Sequence, residues 1–411
     1  MDLHFKGFMI VLVLASLLPQ RISSEEVPED LQKLARANNA FAIHLYQSLR
    51  AGNEGKNLFF SPLGVASALS LLESGTKGAS SSQIVEVLGL KSVDEMKRHE
   101  SFAKLNSALF RSTGDYLLRS ASKLLSKTGA EFSQAFLKTA EDVYDTSVQK
   151  VDSFDDPELA KVINDWVDKR TGGKVSDLVS HQVLAGLAGL VYVNAMYFKG
   201  QWDRAFDPEV TETSLFKVSH ETIHVRMMKQ NGWYEMTDDK TRKCFVLELP
   251  YENGDLSMMA VLPWKPDGLT SVENVFDEDA LDFWYEDLLS ERAFVEFPKF
   301  SLEDTFDLSS TLASMGVADP FSSTSANFEG IAADQSLYLS KMLHRASLEV
   351  DEQGSGAGVA SPPPGRTTRP YQLKFTYPFM FFIRDRRTGT ILFLGRMVDP
   401  PHDSRVMKDE L

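Results

Sequence analysis

One cysteine, Cys244, stands alone in 411 residues. A disulfide-stapled fold and any thiolate metal cluster are thereby excluded, because both need several thiols. No Asn-x-Ser/Thr sequon occurs, so N-linked glycosylation is not expected. Cations are in deficit: 43 Lys+Arg face 58 Asp+Glu, a net charge of −15. Such a chain is a poor binder of nucleic acid, where cations must neutralise phosphates. Catalytic signatures are missing too. There is no G-x-S-x-G, no H-E-x-x-H, no phosphate-binding G-x-x-x-x-G-K-[ST] and no helix-opening G-x-G-x-x-G. Ser120-Ala121-Ser122-Lys123 matches S-x-x-K but lacks the S-D-N and K-T-G that make it a nucleophile and base. The eight histidines show no ligand spacing. No enzyme, metal site or cofactor is expected.

What is present is ample apolar material, 43% of residues, for a large core. The two ends carry addresses. Met1–Ser24 reads as a signal peptide: Lys6 closes a short basic region, Gly7–Leu18 is apolar, and Ser23-Ser24 offers a cleavage site. Its 12 apolar residues are too few to cross a bilayer at about 1.5 Å of rise each. The chain closes on Lys408-Asp409-Glu410-Leu411, the tetrapeptide held by the KDEL receptor. Together they predict the endoplasmic reticulum lumen, with a secreted fraction.

Between the ends, helical periodicity dominates the first third. Leu31–Leu49 aligns Leu34, Ala37, Phe41 and Leu45, and Glu131–Val143 aligns Phe132, Phe136 and Val143. Strand patterns follow at Val191–Phe198, Cys244–Leu249, Ser257–Leu262 and Phe294–Phe297, with Asn253-Gly254 as a hairpin turn. Phe379–Ile383 and Thr390–Leu394 flank a second turn. No long linker divides these regions, which predicts one α+β domain. Asp351–Pro370 stands apart: small residues, three consecutive prolines and no large apolar side chain, between the apolar runs Leu343–Val350 and Leu373–Ile383. A loop of about 20 residues in a compact domain is functional or a plain linker.

Several segments in order give the chain its resemblance to the serpins. They include Asn57-Leu58-Phe59-Phe60-Ser61-Pro62, Val193-Asn194-Ala195-Met196-Tyr197-Phe198-Lys199-Gly200-Gln201-Trp202 and Phe297-Pro298-Lys299-Phe300. His344-Arg345-Ala346 then leads to Leu348-Glu349-Val350-Asp351-Glu352-Gln353-Gly354-Ser355, and Phe393-Leu394-Gly395-Arg396 closes the match. The resemblance implies a serpin domain over 25–406, with three β-sheets, about nine helices and an exposed reactive-centre loop at about 352–370. It implies a serine protease inhibitor, not an enzyme, and a monomer as the family default. The protease would attack the loop and form an acyl-enzyme, and the freed loop would enter the large sheet as a new strand, releasing stored strain. Glu352, Gly354, Ser355, Ala357, Val359 and Ala360 would form the hinge. Ser61, Asn194 and His344 would form the polar shutter beneath the opening sheet, and Trp202 would mark the breach where the loop enters.

Two departures qualify the resemblance. Gly356 and Gly358 add backbone entropy to a hinge that must become strand. Pro362-Pro363-Pro364 would each remove a ladder donor from the inserted strand, slowing insertion near Ser361 and diverting trapping into cleavage. Counting from Gly354 puts the cut after Thr368, and counting back from Pro378-Phe379 puts it after about Thr367. Arg366 and Arg369 flank both, so an Arg-directed trypsin-like or furin-like proprotein convertase is the expected partner at Arg369 or Arg366. Arg366-Thr367-Thr368-Arg369 fits R-x-x-R, but Pro370 follows Arg369. The alternative is a non-inhibitory chaperone like the collagen-binding serpin of the same compartment, which Phe379–Asp385 also resembles. Where that chaperone grips collagen with an arginine and an aspartate, this chain has Gln230 and Thr376.

Overall fold

In the computed structural model, residues 27–110, 114–219, 221–333, 337–354 and 369–401 are described. Among them are ten α-helices and fourteen strands. The first part alternates α1 (Glu29–Ala51), β1 (Leu58–Phe60), α2 (Pro62–Glu73), α3 (Gly78–Val87), α4 (Arg98–Leu109), β2 (Tyr116–Lys127), α5 (Gln134–Asp142) and β3 (Thr146–Val151). Next come α6 (Leu159–Thr171), α7 (His181–Leu184), β4 (Leu190–Gly200), β5 (Glu212–Lys217), β6 (Thr222–Asp239), β7 (Cys244–Pro250) and β8 (Leu256–Pro263). After α8 (Leu269–Glu273) and α9 (Glu278–Glu286) lie β9 (Leu289–Pro298), β10 (Phe300–Asp307), α10 (Ser309–Met315) and β11 (Leu339–Val350). The chain finishes with β12 (Tyr371–Lys374), β13 (Phe379–Asp385) and β14 (Ile391–Met397).

Local chemistry explains the boundaries. Helix α1 begins two residues before the apolar periodicity because Glu29 and Asp30 suit its positive end, and Arg50 suits the last turn. Ser61 caps α2 by accepting the Gly64 N–H at 3.1 Å, and Pro62 occupies the first helical position. Asn253 and Gly254 both take positive φ, 68° and 70°, which lets β7 turn tightly into its antiparallel partner β8. The run Leu373–Ile383 is broken, with β12 and β13 in different places.

Hydrogen bonding gathers the strands into two sheets where three were expected. The larger runs β1-β14-β13-β8-β7-β6-β9-β12 with β5 attached to β6, and the smaller runs β10-β11-β4-β2-β3. The long strand β6 bonds β5, β7 and β9 along its length, fusing what would otherwise be two sheets. Strands β13 and β14 are buried at every position, so they read as continuous apolar runs. Phe198 of β4 packs on Phe393, and Phe300 of β10 packs on Phe381, which locks the small sheet over the large one. Cys244 is fully buried, and burial pushes its thiol well above the ordinary range.

Asp304 on β10 joins the sheets: its Oδ2 accepts the Phe59 N–H of β1 at 3.0 Å. Burial raises its pKa to about 6, against which the Phe59 N–H, Arg345 and Lys56 act only weakly. Between the ordinary value of 3.8 and about 6 the folded state therefore holds a proton that the unfolded chain has lost. That contribution is present below pH 3.8 and gone above about 6. Asp304→Asn is expected to raise stability at pH 7 by about 1–3 kcal/mol and to flatten this part of the profile. Urea unfolding at pH 4.5 and 7 checks it, and an unchanged profile would count against the ionised, half-buried carboxylate.

Candidate functional site

Strands β4 and β11 lie side by side and parallel, with His344 opposite Asn194. Across the next, antiparallel pair, Asn194 faces Ser122 of β2. One row of side chains thus crosses three strands. His344 Nε2 accepts the Ser61 N–H at 2.9 Å, which leaves the ring proton on Nδ1 to be donated to Asn194 Oδ1 at 2.7 Å. Asn194 Nδ2 donates to Ser122 Oγ at 2.8 Å, and Ser61 Oγ donates to the Leu392 carbonyl at 2.6 Å. His344 is completely buried, and burial holds its pKa down at about 3, so the ring is neutral. Ser61, Asn194 and His344, expected together from sequence, do meet. Ser122 was hidden inside the S-x-x-K fragment, where it signalled no chemistry. Lys123 of that fragment donates to Gln149 and covers the Trp166 ring at 4.1 Å, which commits it to structure.

The upper end of the seam is built around Trp202, just past β4. Its indole stacks on Tyr251 with centroids 4.7 Å apart, and its Nε1–H donates to the Asp351 carbonyl at 2.8 Å. The Trp202 N–H bonds the Gln353 carbonyl and the Phe206 N–H bonds the Glu352 carbonyl. A bridge between Trp202 and Gly354 ends the pairing. A Cβ at Gly354 would sit 2.3 Å from the Trp202 carbonyl oxygen, so only glycine permits this approach. The Glu352 carboxylate meets Lys299 at 2.7 Å; burial would raise its pKa, but the Lys299 bond and charge together with hydrogen bonds from its own backbone and from Thr211 hold it below the ordinary value.

Ion pairs that sequence inspection missed complete the region. Lys199 of β4 reaches Asp351 at 2.7 Å and Glu349 of β11 at 3.4 Å, while Lys174, beyond α6, reaches Glu349 at 3.0 Å. The members of all three pairs lie 150 or more residues apart, so no local pattern could have paired them. The seam is thus held by reversible contacts along its length.

Glu352 and Gly354 are in place, and Arg369 is exposed just before Pro370 and β12. Ser355, Ala357, Val359, Ala360, Arg366, Thr367 and Thr368 lie outside the described residues, as do 1–24 and Lys408, Asp409, Glu410 and Leu411. At the positions relevant to a collagen grip, Gln230 Nε2 donates to the Ala205 carbonyl at 2.6 Å and its Oε1 accepts from Tyr234 at 2.6 Å. Among the described residues the Thr376 hydroxyl bonds only the Lys374 carbonyl, at 3.5 Å. Gln230 is spent on internal bonds.

Comparison with known proteins agrees with this architecture. A family model described as serpin (serine protease inhibitor) matches residues 36–400. The leukocyte elastase inhibitor of Bos taurus is 34% identical over 383 residues, covering 90% of this chain and 100% of that protein. Serpin B8 of Homo sapiens is 33% identical over 377 residues, with the same coverage. Among solved structures, uncleaved ovalbumin superposes with a TM-score of 0.84 at 27% identity, covering 90% of this chain and 100% of that one. Mouse protein-Z dependent protease inhibitor gives 0.81 at 28%, covering 90% and 98%. The chain belongs to the serpin family.

Proposed function

We propose that this serpin is a suicide-substrate inhibitor of an Arg-directed serine protease, trypsin-like or of the proprotein-convertase type, working in the lumen of the secretory pathway. The observation that carries the reading is the β4–β11 seam. Two parallel strands are paired directly, backed by a neutral His–Asn–Ser row and closed at the top by ion pairs, and the loop departs from Gly354 at that same top. Such a seam can part without breaking a covalent bond, and it can be refilled by a strand returning from Gly354. The names of its relatives, among them the elastase inhibitor, support inhibition as the class of activity. Arg366 and Arg369 support the protease class, and the two chain termini support the compartment.

The mature protein is incubated with trypsin and, separately, with a furin-like convertase, then run on a denaturing gel. A band that survives boiling at the summed mass is expected, and Arg366→Ala with Arg369→Ala should reduce its rate of formation at least a hundredfold. Complete loop cleavage with the protease still active would overturn trapping. Retention on gelatin under those conditions would then favour the chaperone.

A further inference from the structure

An uncovered apolar surface gathers at the end of the larger sheet where β12 starts. Register fixes the arrangement. Leu289, Glu291 and Ala293 alternate onto one face of β9, with Met236 of β6 opposite Leu289 and Tyr371 of β12 opposite Ala293. Two residues past Met236, Asp238 faces Phe245 of β7 on the same side. Ala293 is fully buried, but the cover has ended by Leu289, which is 54% exposed. Trp264, just past β8, is 41% exposed and packs on Phe245 with centroids 6.2 Å apart. Phe245 in turn meets the Tyr371 ring edge-on at 5.9 Å.

The rim of this surface is acidic. Trp264 Nε1–H donates to Asp238 Oδ1 at 3.1 Å, and the Trp264 N–H donates to the Lys243 carbonyl at 2.9 Å, which pins the indole in its exposed place. Burial raises the Tyr371 pKa and the charges of Asp238 and Glu291 add to it, so both carboxylates stand near that phenol. Large apolar side chains drawn from separate strands, held outward and rimmed by polar groups mark an interaction surface.

Position names the partner. Arg369 is exposed two residues before Tyr371, about 7 Å of extended chain, and Arg366 is three residues further back. A protein seated stably on another covers roughly 800 Å² of it. The few loop residues that enter a protease cleft do not supply that area, so the flank of the enzyme rests on the surface beside them.

We infer that Trp264, Phe245, Tyr371 and Leu289, with Asp238 and Glu291 at the rim, form a second docking surface for the protease that attacks the loop, meeting apolar residues and a cation on its flank. The identity of the partner rests on the inhibitory reading proposed above. The surface acts before the chemistry. Its apolar contacts slow dissociation of the first, non-covalent complex, and its carboxylates speed association. It thereby separates proteases that share a preference for arginine, which the loop by itself does not.

The test uses the full mature chain and two probes, trypsin and a furin-like convertase, each with its nucleophilic serine changed to alanine so that only the first complex forms. Trp264→Gln with Leu289→Gln should weaken binding of at least one probe tenfold or more, mostly through faster dissociation. Asp238→Asn with Glu291→Gln, in which the new amide oxygen still accepts the indole N–H, should slow association severalfold at low salt. That difference should vanish in 1 M salt, a response that a merely structural role does not produce. Circular dichroism and unfolding midpoints confirm that the variants are folded. Equal affinity of wild type and Trp264→Gln/Leu289→Gln for both probes overturns the proposal, as does a wild type that binds neither. The active enzymes separate this proposal from the inhibitory reading. Surface-dependent binding of the inactive protease, followed by plain loop cleavage with the active one, fails trapping and leaves the docking surface. Trapping at equal rates in wild type and variant does the reverse.

Discussion

His344→Leu lowers the unfolding free energy by roughly 2–5 kcal/mol, the largest loss expected from any single side chain at the seam. The leucine strands two buried groups at once. The Ser61 N–H loses its acceptor and Asn194 Oδ1 loses its donor, each at a cost of about 1–3 kcal/mol. Water cannot easily replace the ring, since Ser61, Asn194 and His344 are all at most 2% exposed. Urea unfolding at neutral pH measures the loss, and native gels after mild heating should show the variant forming oligomers sooner, as the seam parts more readily. A second signature separates the network from mere packing. In the wild type the unfolded chain takes up a proton below pH 6.5 that the folded ring refuses until about 3, so stability falls as pH drops through that window. The leucine variant lacks this slope. A double-mutant cycle with Asn194→Ala should also be strongly non-additive. A loss of under about 0.5 kcal/mol would show that the row is ornamental.

Replacing Pro362, Pro363 and Pro364 together by alanine raises the ratio of trapped to cleaved product by roughly a hundredfold. The register makes the argument. If the loop folds back at Gln353–Gly354, where the pairing with Trp202 ends, an antiparallel strand would set Pro362, Pro363 and Pro364 opposite Arg345, His344 and Leu343. The prolines would therefore arrive at the level of the polar row, in a strand flanked on both sides. Each lacks an N–H for a neighbouring carbonyl, at about 1 kcal/mol apiece. Three such losses amount to about two powers of ten in the race between insertion and deacylation. Titrating a fixed amount of protease with wild type and triple variant gives the ratio from gel densities. Stoichiometric trapping by the wild type, unchanged in the variant, would show that the prolines do not hinder insertion.

Much of this site was legible because it lies in segments whose residue order is itself informative. Asn57–Pro62 supplied the cap and the first member of the polar row, Val193–Trp202 supplied Asn194 and the indole, and His344–Ser355 supplied the ring and the hinge. Periodicity placed α1, β4, β7, β8, β13 and β14 to within a few residues, since their burial is uniform or one-sided. It was less useful for Leu373–Ile383, where one apolar run serves two strands in different places, because apolarity reports burial and not the partner.

The sequence alone determined the fold class and the family resemblance, and it gave the character of the loop and the candidates Arg366 and Arg369. Composition had already excluded disulfides and thiolate metal clusters. Only the tertiary structure decided which polar atoms meet. The His344 tautomer depends on a backbone N–H 283 residues away, and the Lys199–Asp351 and Lys174–Glu349 pairs depend on β4 and β11 lying parallel. These are long-range matters of register and crossing, and a hydrogen bond a few ångströms long is fixed by them and not by any local run of residues.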